Sequence, residues 1–96
     1  LDLRVGISYD ADIRQAKSVI ENLLVKDECI IKNEQINVFV HELADSAVVL
    51  GIRAWVKNEE YWTTRWRLLE EIKLSLDENG IEIPYPQMTV HMQKNA

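Results

Sequence analysis

Residues 48–56 of the chain read Val-Val-Leu-Gly-Ile-Arg-Ala-Trp-Val and indicate the fold class more directly than any other stretch. Every second residue is aliphatic, which is the pattern of a β-strand with one buried face. An alternating segment at residues 36–41 precedes it, and residues 44–46 supply the turn chemistry between the two. We therefore predict an antiparallel hairpin. Gly51 in the middle of the strand indicates a bulge or a close approach by another backbone.

Upstream of this hairpin, the sequence predicts a strand followed by a helix. Residues 3–9 alternate between apolar and polar or small side chains, as expected of a half-buried strand. Asp10 is placed to cap the next helix, and Asp12 adds a second negative charge in its first turn. The predicted buried stripe of this helix consists of Ile13, Ala16, Ile20, Leu23 and Leu24. Residues 27–34 are polar and irregular and are interpreted as a connection.

Downstream of the hairpin, a second helix is predicted from about Glu59 to Asn79. Its apolar residues recur at helical spacing. They are Trp62, Trp66, Leu69, Ile72 and Leu76. Core packing is therefore the simplest interpretation of the two tryptophans in this stripe. Gly80 follows at the position that usually adopts the left-handed C-terminal cap.

Two further short strands are predicted near the end of the chain. The fourth covers residues 81–83, and the fifth covers residues 88–92. The fifth contains Met88, Val90 and Met92 in alternation with Thr89 and His91. Pro84 and Pro86 separate the two strands, because proline cannot donate a ladder hydrogen bond. The order β-α-β-β-α-β predicts an α+β fold, the ferredoxin-like split βαβ arrangement, with an extra C-terminal strand after the Pro-Tyr-Pro-Gln linker.

The charge of the chain argues against nucleic acid as a partner. The 96 residues include 16 acidic and 11 basic side chains, which gives a net charge of −5. Binding to phosphates requires a concentrated basic face. The basic cluster of Arg65, Arg67 and Lys73 contains Glu70 and Glu71, which favours a solvated helix face with local ion pairs.

The sequence contains no set of residues with convergent catalytic or metal-binding character. Neither His41 nor His91 has a second nitrogen or sulfur ligand at helical or strand spacing. Cys29 lies among acidic neighbours, which disfavour its thiolate. We therefore predict that the protein is not an enzyme and holds no metal ion or cofactor. The longest apolar run, at residues 47–52, is too short to cross a bilayer. Because the chain opens with Leu1 rather than Met, a fragment of a longer protein is expected.

Trp55 is predicted to lie on the face of its strand opposite the aliphatic residues. It shares that face with Arg53 and Lys57. An aromatic side chain beside an arginine is common at protein interfaces. We therefore predict that Trp55 packs on a second surface. A platform that stacks single-stranded nucleic acid fits poorly with the negative net charge.

Five short motifs occur in the order found in one family of membrane channels. They are VGISYDADI (residues 5–13), ELADSAV (42–48), RAWV (53–56), Tyr-Trp (61–62) and DENGIEIPYPQ (77–87). Through them, nearly the whole chain resembles the cytoplasmic C-terminal domain of small-conductance mechanosensitive channels, the MscS family. The motif positions are Asp12, Ser46, Arg53, Trp55, Tyr61, Trp62, Pro84 and Pro86.

The resemblance implies a role inside a larger membrane protein. In that family, transmembrane helices form a pore that opens under membrane tension, and a heptamer encloses a cytoplasmic vestibule. By resemblance, residues 1–86 form the vestibule domain and residues 87–96 form an oligomerisation strand and tail. The strand from Gln87 to Met92 joins its copies in a small barrel, which leaves no free edge. The implied partners are identical subunits, permeating ions and small solutes. The implied location is the cytoplasmic side of the cell membrane, with a function in osmotic shock release.

The main alternative is a ferredoxin-like regulatory module that binds a small molecule, because fold alone does not fix function. An enzyme on the same fold has less support, because the sequence contains no convergent acid, base and nucleophile. An RNA-binding sheet lacks basic charge and the expected aromatic pair on its central strands.

Overall fold

The computed structural model describes residues 1–84 of the chain. Its elements are β1 (Asp2–Ile7), α1 (Ile13–Lys26), β2 (Asn37–Leu43), β3 (Val48–Arg53) and α2 (Tyr61–Glu78). A single 3-10 turn at Asn58–Glu60 leads into α2. The predicted α+β fold class is confirmed. Within the described residues, neither helix combines the length and the apolar character that crossing a membrane would require.

The three strands form one antiparallel sheet in the order β1-β3-β2. Because β3 pairs with both neighbours in antiparallel fashion, β1 and β2 run parallel to each other on either side of it. This is the split βαβ arrangement. The predicted hairpin of β2 and β3 is confirmed, and the Ala44 N–H donates to the Ala47 carbonyl across its turn at 2.9 Å.

The core lies between the helices and one face of the sheet. Leu3, Val5 and Ile7 alternate with exposed or half-buried residues along β1. The aliphatic face predicted for β3 is buried as expected, with Leu50 and Ile52 fully covered. α1 contributes the inner part of its predicted stripe, namely Ala16, Ile20 and Leu24.

The helix cap predicted at Asp10 is wrong, because α1 begins two residues later than expected. Asp12 is the N-cap, and its Oδ1 accepts hydrogen bonds from the backbone N–H groups of Arg14 at 3.0 Å and Gln15 at 3.2 Å. These bonds satisfy two of the backbone donors that every helix start leaves open. Asp10 lies in the preceding turn, where its own N–H donates to Ser8 Oγ.

The predicted glycine cap at the end of α2 is confirmed. Gly80 has a φ of +73°, a conformation that favours glycine. Its N–H donates to the Asp77 carbonyl at 3.1 Å, and the Ile81 N–H donates to the Leu76 carbonyl at 2.9 Å. The pair of bonds is a Schellman motif, and the buried contact between Ile81 and Leu76 is its usual hydrophobic companion.

The prediction of a fourth strand at residues 81–83 is wrong. The segment forms no ladder, and one hydrogen bond from the Ser8 N–H to the Glu82 carbonyl at 2.9 Å fixes it beside the end of β1. The Schellman motif already uses the Ile81 N–H, and Pro84 has no N–H to donate, so too few donors are left for a ladder. The predicted fifth strand lies outside the described residues.

Gly51 leaves room for a neighbouring side chain, and β3 has no bulge at this position. It lies opposite Phe39 in the β2–β3 register. A Cβ at this position would lie 2.6 Å from the Phe39 ring, so any other residue here would require the ring to shift. The irregularity in register occurs in β2 instead, between Val40 and Glu42.

Candidate functional site

The prediction that Trp62 and Trp66 pack in the core is wrong. They are 57% and 61% exposed. The face of α2 that meets the core consists of every fourth residue, namely Thr64, Leu68, Ile72 and Leu76. At 3.6 residues per turn, Trp62 and Trp66 each lie about 160° around the helix axis from Thr64. α2 therefore carries two apolar stripes, and the aliphatic one is buried.

The exposed stripe of α2 is a continuous row of large apolar side chains. The Tyr61 and Trp62 rings contact each other edge to face, with centroids 5.1 Å apart. The Trp62 and Trp66 rings follow with centroids 5.9 Å apart. Leu69, which is 38% exposed, extends the row by another turn. These four residues are called the aromatic row. Exposed clusters of this kind mark interaction surfaces.

A second exposed aromatic lies at the end of β3. Trp55 is 58% exposed, and it lines a cavity of about 210 Å³ together with Leu1, Asp2, Arg53 and Ala54. The Arg53 Nε lies 3.8 Å from the Asp2 carboxylate, and both side chains are at least half exposed. This group of residues is called the Trp55 corner. Packing of Trp55 on a second surface stays a prediction.

Arg53 and Arg65 connect the Trp55 corner to its surroundings. The Arg53 guanidinium lies 5.7 Å from the centroid of the Phe39 ring on β2, within cation–π range. The Arg65 Nη1 donates to the Asp2 carbonyl at 3.1 Å. Arg65 lies within the same turn of α2 as Trp62 and Trp66, so this bond ties the aromatic row to the start of β1.

Among residues 1–84, the most buried charged group is Asp27, whose side chain is 3% exposed. It follows the end of α1 and accepts a hydrogen bond from the Cys29 N–H at 2.9 Å. Both Nη atoms of Arg67 on α2 donate to its carboxylate, with Nη2 at 3.1 Å from Oδ1. This bidentate pair joins residues 40 apart in the chain. The prediction that Arg67 makes only local ion pairs is therefore wrong, although Glu71 does lie 3.6 Å away.

Burial and hydrogen bonding shift the pKa of Asp27 in opposite directions, and the net shift is downward. Burial alone raises the pKa of Asp27, but hydrogen bonds from Arg67 and from the Cys29 N–H outweigh it, so the pKa falls below its ordinary value. The same contact raises the pKa of Arg67. A groove of about 420 Å³ opens beside the pair. Because Asp27 and Arg67 already satisfy each other, we interpret the pair as a structural link between α1 and α2.

The remaining motif positions are spread over the domain. Asp12 caps α1, half-buried Ser46 lies in the β2–β3 turn, and Pro84 is the last residue described. Pro86 and the predicted strand from Gln87 to Met92 lie outside the described residues. Tyr61 and Trp62 contact each other, whereas Arg53 and Trp55 meet at the Trp55 corner. Within residues 1–84, no group of three or more His, Cys, Asp or Glu side chains is arranged to hold a metal ion.

Comparison with known proteins identifies the class of this domain. Residues 1–83 match the family described as "Mechanosensitive ion channel MscS, C-terminal". A small-conductance mechanosensitive channel of Edwardsiella ictaluri is 37% identical over 92 residues, which are 96% of this chain and 32% of the relative. An uncharacterised MscS family protein of Archaeoglobus fulgidus is 38% identical over 86 residues, which are 90% of this chain and 30% of the relative. The matches therefore define the C-terminal domain of a mechanosensitive channel.

Solved structures agree with the sequence matches. The closed-state crystal structure of Helicobacter pylori MscS superposes with a TM-score of 0.83 at 31% identity, covering 88% of this chain and 34% of that one. The A320V variant of Arabidopsis thaliana MSL1 shares the fold with a TM-score of 0.76 at 16% identity. The match covers 90% of this chain and 35% of that one. The chain belongs to the MscS family, which confirms the resemblance. It spans about a third of the length of these relatives.

Proposed function

We propose that the chain is the cytoplasmic vestibule and assembly domain of a channel that opens under membrane tension and releases solutes on osmotic shock. The observation that carries the proposal is the family match over residues 1–83. Because the chain spans about a third of its relatives, the pore belongs to the other part of the parent protein. The domain itself has no enzymatic role. Its partners are identical subunits, with ions and small solutes passing through the enclosed space.

The proposal divides the chain into a folded domain and a joining strand. Residues 1–86 form the vestibule domain, and residues 87–96 form the oligomerisation strand and tail. The strand from Gln87 to Met92 pairs with its copies in a homo-heptamer on the cytoplasmic side of the membrane. Apolar and polar residues alternate along this strand, which suits a barrel strand with one face toward the interior and one toward the outside.

The aromatic row of α2 supports an assembly role. A tryptophan can bury roughly 150–250 Å². At 57% and 61% exposure, Trp62 and Trp66 together present about 200–300 Å² of surface to a partner. Tryptophan is enriched among the residues that dominate binding energy at interfaces. The alternative of a small-molecule regulatory module rests on the fold alone.

The parent protein with residues 87–96 deleted tests the proposal. We expect weaker heptamers by light scattering in detergent, smaller tension-dependent currents in membrane patches, and poorer survival of osmotic downshock. A matched control removes residues 93–96 only and keeps the strand, and we expect it to assemble normally. An intact, fully active heptamer after the longer deletion would refute the role of the strand. A parent protein without any tension-dependent current would refute the channel function.

A further inference from the structure

The β1–β3 ladder does not end at the first residue of β1. Asp2 lies opposite Arg53 in the register. One residue further out, the Leu1 N atom donates to the Ala54 carbonyl at 2.9 Å, and the Ala54 N–H donates to the Leu1 carbonyl at 3.1 Å. This reciprocal exchange defines a hydrogen-bonded pair of an antiparallel ladder. The pairing of β1 with β3 therefore extends to the very start of the chain.

The same register specifies what the next two upstream residues would face. In an antiparallel ladder, the residue immediately before Leu1 lies opposite Trp55, and the one before that lies opposite Val56. The Trp55 carbonyl accepts from the Ile31 N–H at 2.8 Å on the other side of this strand. Because successive backbone groups point to alternate sides, the Val56 N–H faces the β1 side. It donates no hydrogen bond to another residue within 1–84.

A cavity lies at the same place. The cavity of about 210 Å³ at the Trp55 corner is bounded by Leu1 and Asp2 on one side and by Arg53, Ala54 and Trp55 on the other. Side chains alternate between faces along a strand, so the residue before Leu1 shares the face of Asp2, Arg53 and Trp55. An extended upstream segment would place that side chain against Trp55, which is 58% exposed.

We propose that in the parent protein the two residues before Leu1 continue β1, pair with Trp55 and Val56, and cover the Trp55 corner. The proposal rests on the proposed function in one respect, that this C-terminal domain follows the rest of a channel chain. The occupant is fixed by chain continuity, because the segment that enters at Leu1 is held beside the Val56 amide, which has no acceptor within residues 1–84. The junction is then a hydrogen-bonded ladder with the chain that continues β3.

Disulfide trapping in the solubilised full-length parent protein tests the register. One cysteine replaces the residue before Leu1, and the second is Trp55→Cys, with Cys29→Ser and serine in place of any further cysteine of the parent. Directly opposed residues have Cα atoms about 4.5–5.5 Å apart, within disulfide range, whereas diagonal neighbours lie about 7–8 Å apart. We expect cross-linking within one chain at least tenfold faster with Trp55→Cys than with the matched controls Arg53→Cys and Lys57→Cys.

Hydrogen exchange in the unmodified parent gives a second measurement that does not depend on any variant folding. We expect the Val56 amide to be protected at least a hundredfold relative to an unstructured peptide. Equal cross-linking at positions 53, 55 and 57, or free exchange of the Val56 amide, would overturn the proposal. Neither readout requires channel activity. A parent that forms the Trp55→Cys link but carries no tension-dependent current would therefore refute the proposed function alone.

Discussion

Replacement of Arg67 by methionine tests how strongly the bidentate pair with Asp27 holds α1 against α2. Methionine keeps most of the aliphatic length of arginine but removes both hydrogen bonds to the carboxylate. Asp27 is then left with the Cys29 N–H as its partner, in a position where its side chain is 3% exposed. The variant therefore isolates the cost of an uncompensated buried charge.

The expected loss of stability follows from the burial of the two partners. Removal of one member of a fully buried pair typically costs about 3–5 kcal/mol. The Arg67 side chain is 40% exposed, so solvent screening reduces the expected cost to about 2–3 kcal/mol. For a domain of this size, such a loss lowers the melting temperature by roughly 10–20 °C.

The loss of stability caused by Arg67→Met should be smaller at low pH than at neutral pH. The folded-state pKa of Asp27 lies below its ordinary value of 3.8, so the pair contributes stability above that pH and loses it as the pH falls through the folded pKa. Without Arg67, burial raises the pKa of Asp27 instead, and the variant loses stability as its carboxyl group ionises. The difference between the two proteins should therefore be largest near neutral pH and should decrease as the pH falls below 3.8.

Urea denaturation of the domain between pH 3 and pH 7 measures this difference. A matched control is Lys73→Met, which breaks an exposed pair with Asp77 at 2.6 Å on the same helix. We expect the control to cost about 0.3–0.5 kcal/mol near neutral pH. A loss for Arg67→Met no larger than that of the control, or a large loss that persists unchanged at pH 3, would refute the reasoning.

Three further predictions concern single positions, each measured as the free energy of unfolding in urea. Gly51→Ala should destabilise the domain by about 1–3 kcal/mol because its Cβ would lie 2.6 Å from the Phe39 ring, and a smaller side chain at position 39 should recover much of the loss. Thr64→Val should be neutral or stabilising, because the buried Thr64 hydroxyl has no hydrogen-bond partner within residues 1–84. Asp12→Ala should cost about 1 kcal/mol through loss of the α1 cap, whereas Asp10→Ala should cost less than about 0.5 kcal/mol. Equal effects of the two aspartates would contradict the assigned cap.

Local periodicity was sufficient to predict the elements that build the sheet and α1. Alternation along β1 and β3 fixed which residues face the core, and the period of α1 identified Ala16, Ile20 and Leu24 correctly. These predictions succeeded because each element has one apolar face, and burial of that face dominates its placement. The ends of elements were less predictable, since Asp10 and Asp12 are both good caps and tertiary packing selected the second.

The link between Asp27 and Arg67 could not be predicted from the sequence. The two residues lie 40 positions apart, and each has nearer partners of opposite charge that suggest local pairs. Only the packing of α1 beside α2 brings the guanidinium over the carboxylate. The prediction of a fourth strand was wrong because the Schellman motif after α2 uses the Ile81 N–H, which a ladder would have needed.

The two apolar stripes of α2 explain why Trp62 and Trp66 were predicted wrongly as core residues, whereas Ile72 and Leu76 of the same predicted stripe are buried as expected. Thr64, Leu68, Ile72 and Leu76 form a narrow row of small and aliphatic side chains that fits closely against the core. The sequence alone does not indicate which of the two stripes is buried, because both have helical period. Since the fold leaves Trp62 and Trp66 in solvent, folding of the domain does not require them. Under the assembly role proposed above, a surface outside residues 1–84 covers these two rings.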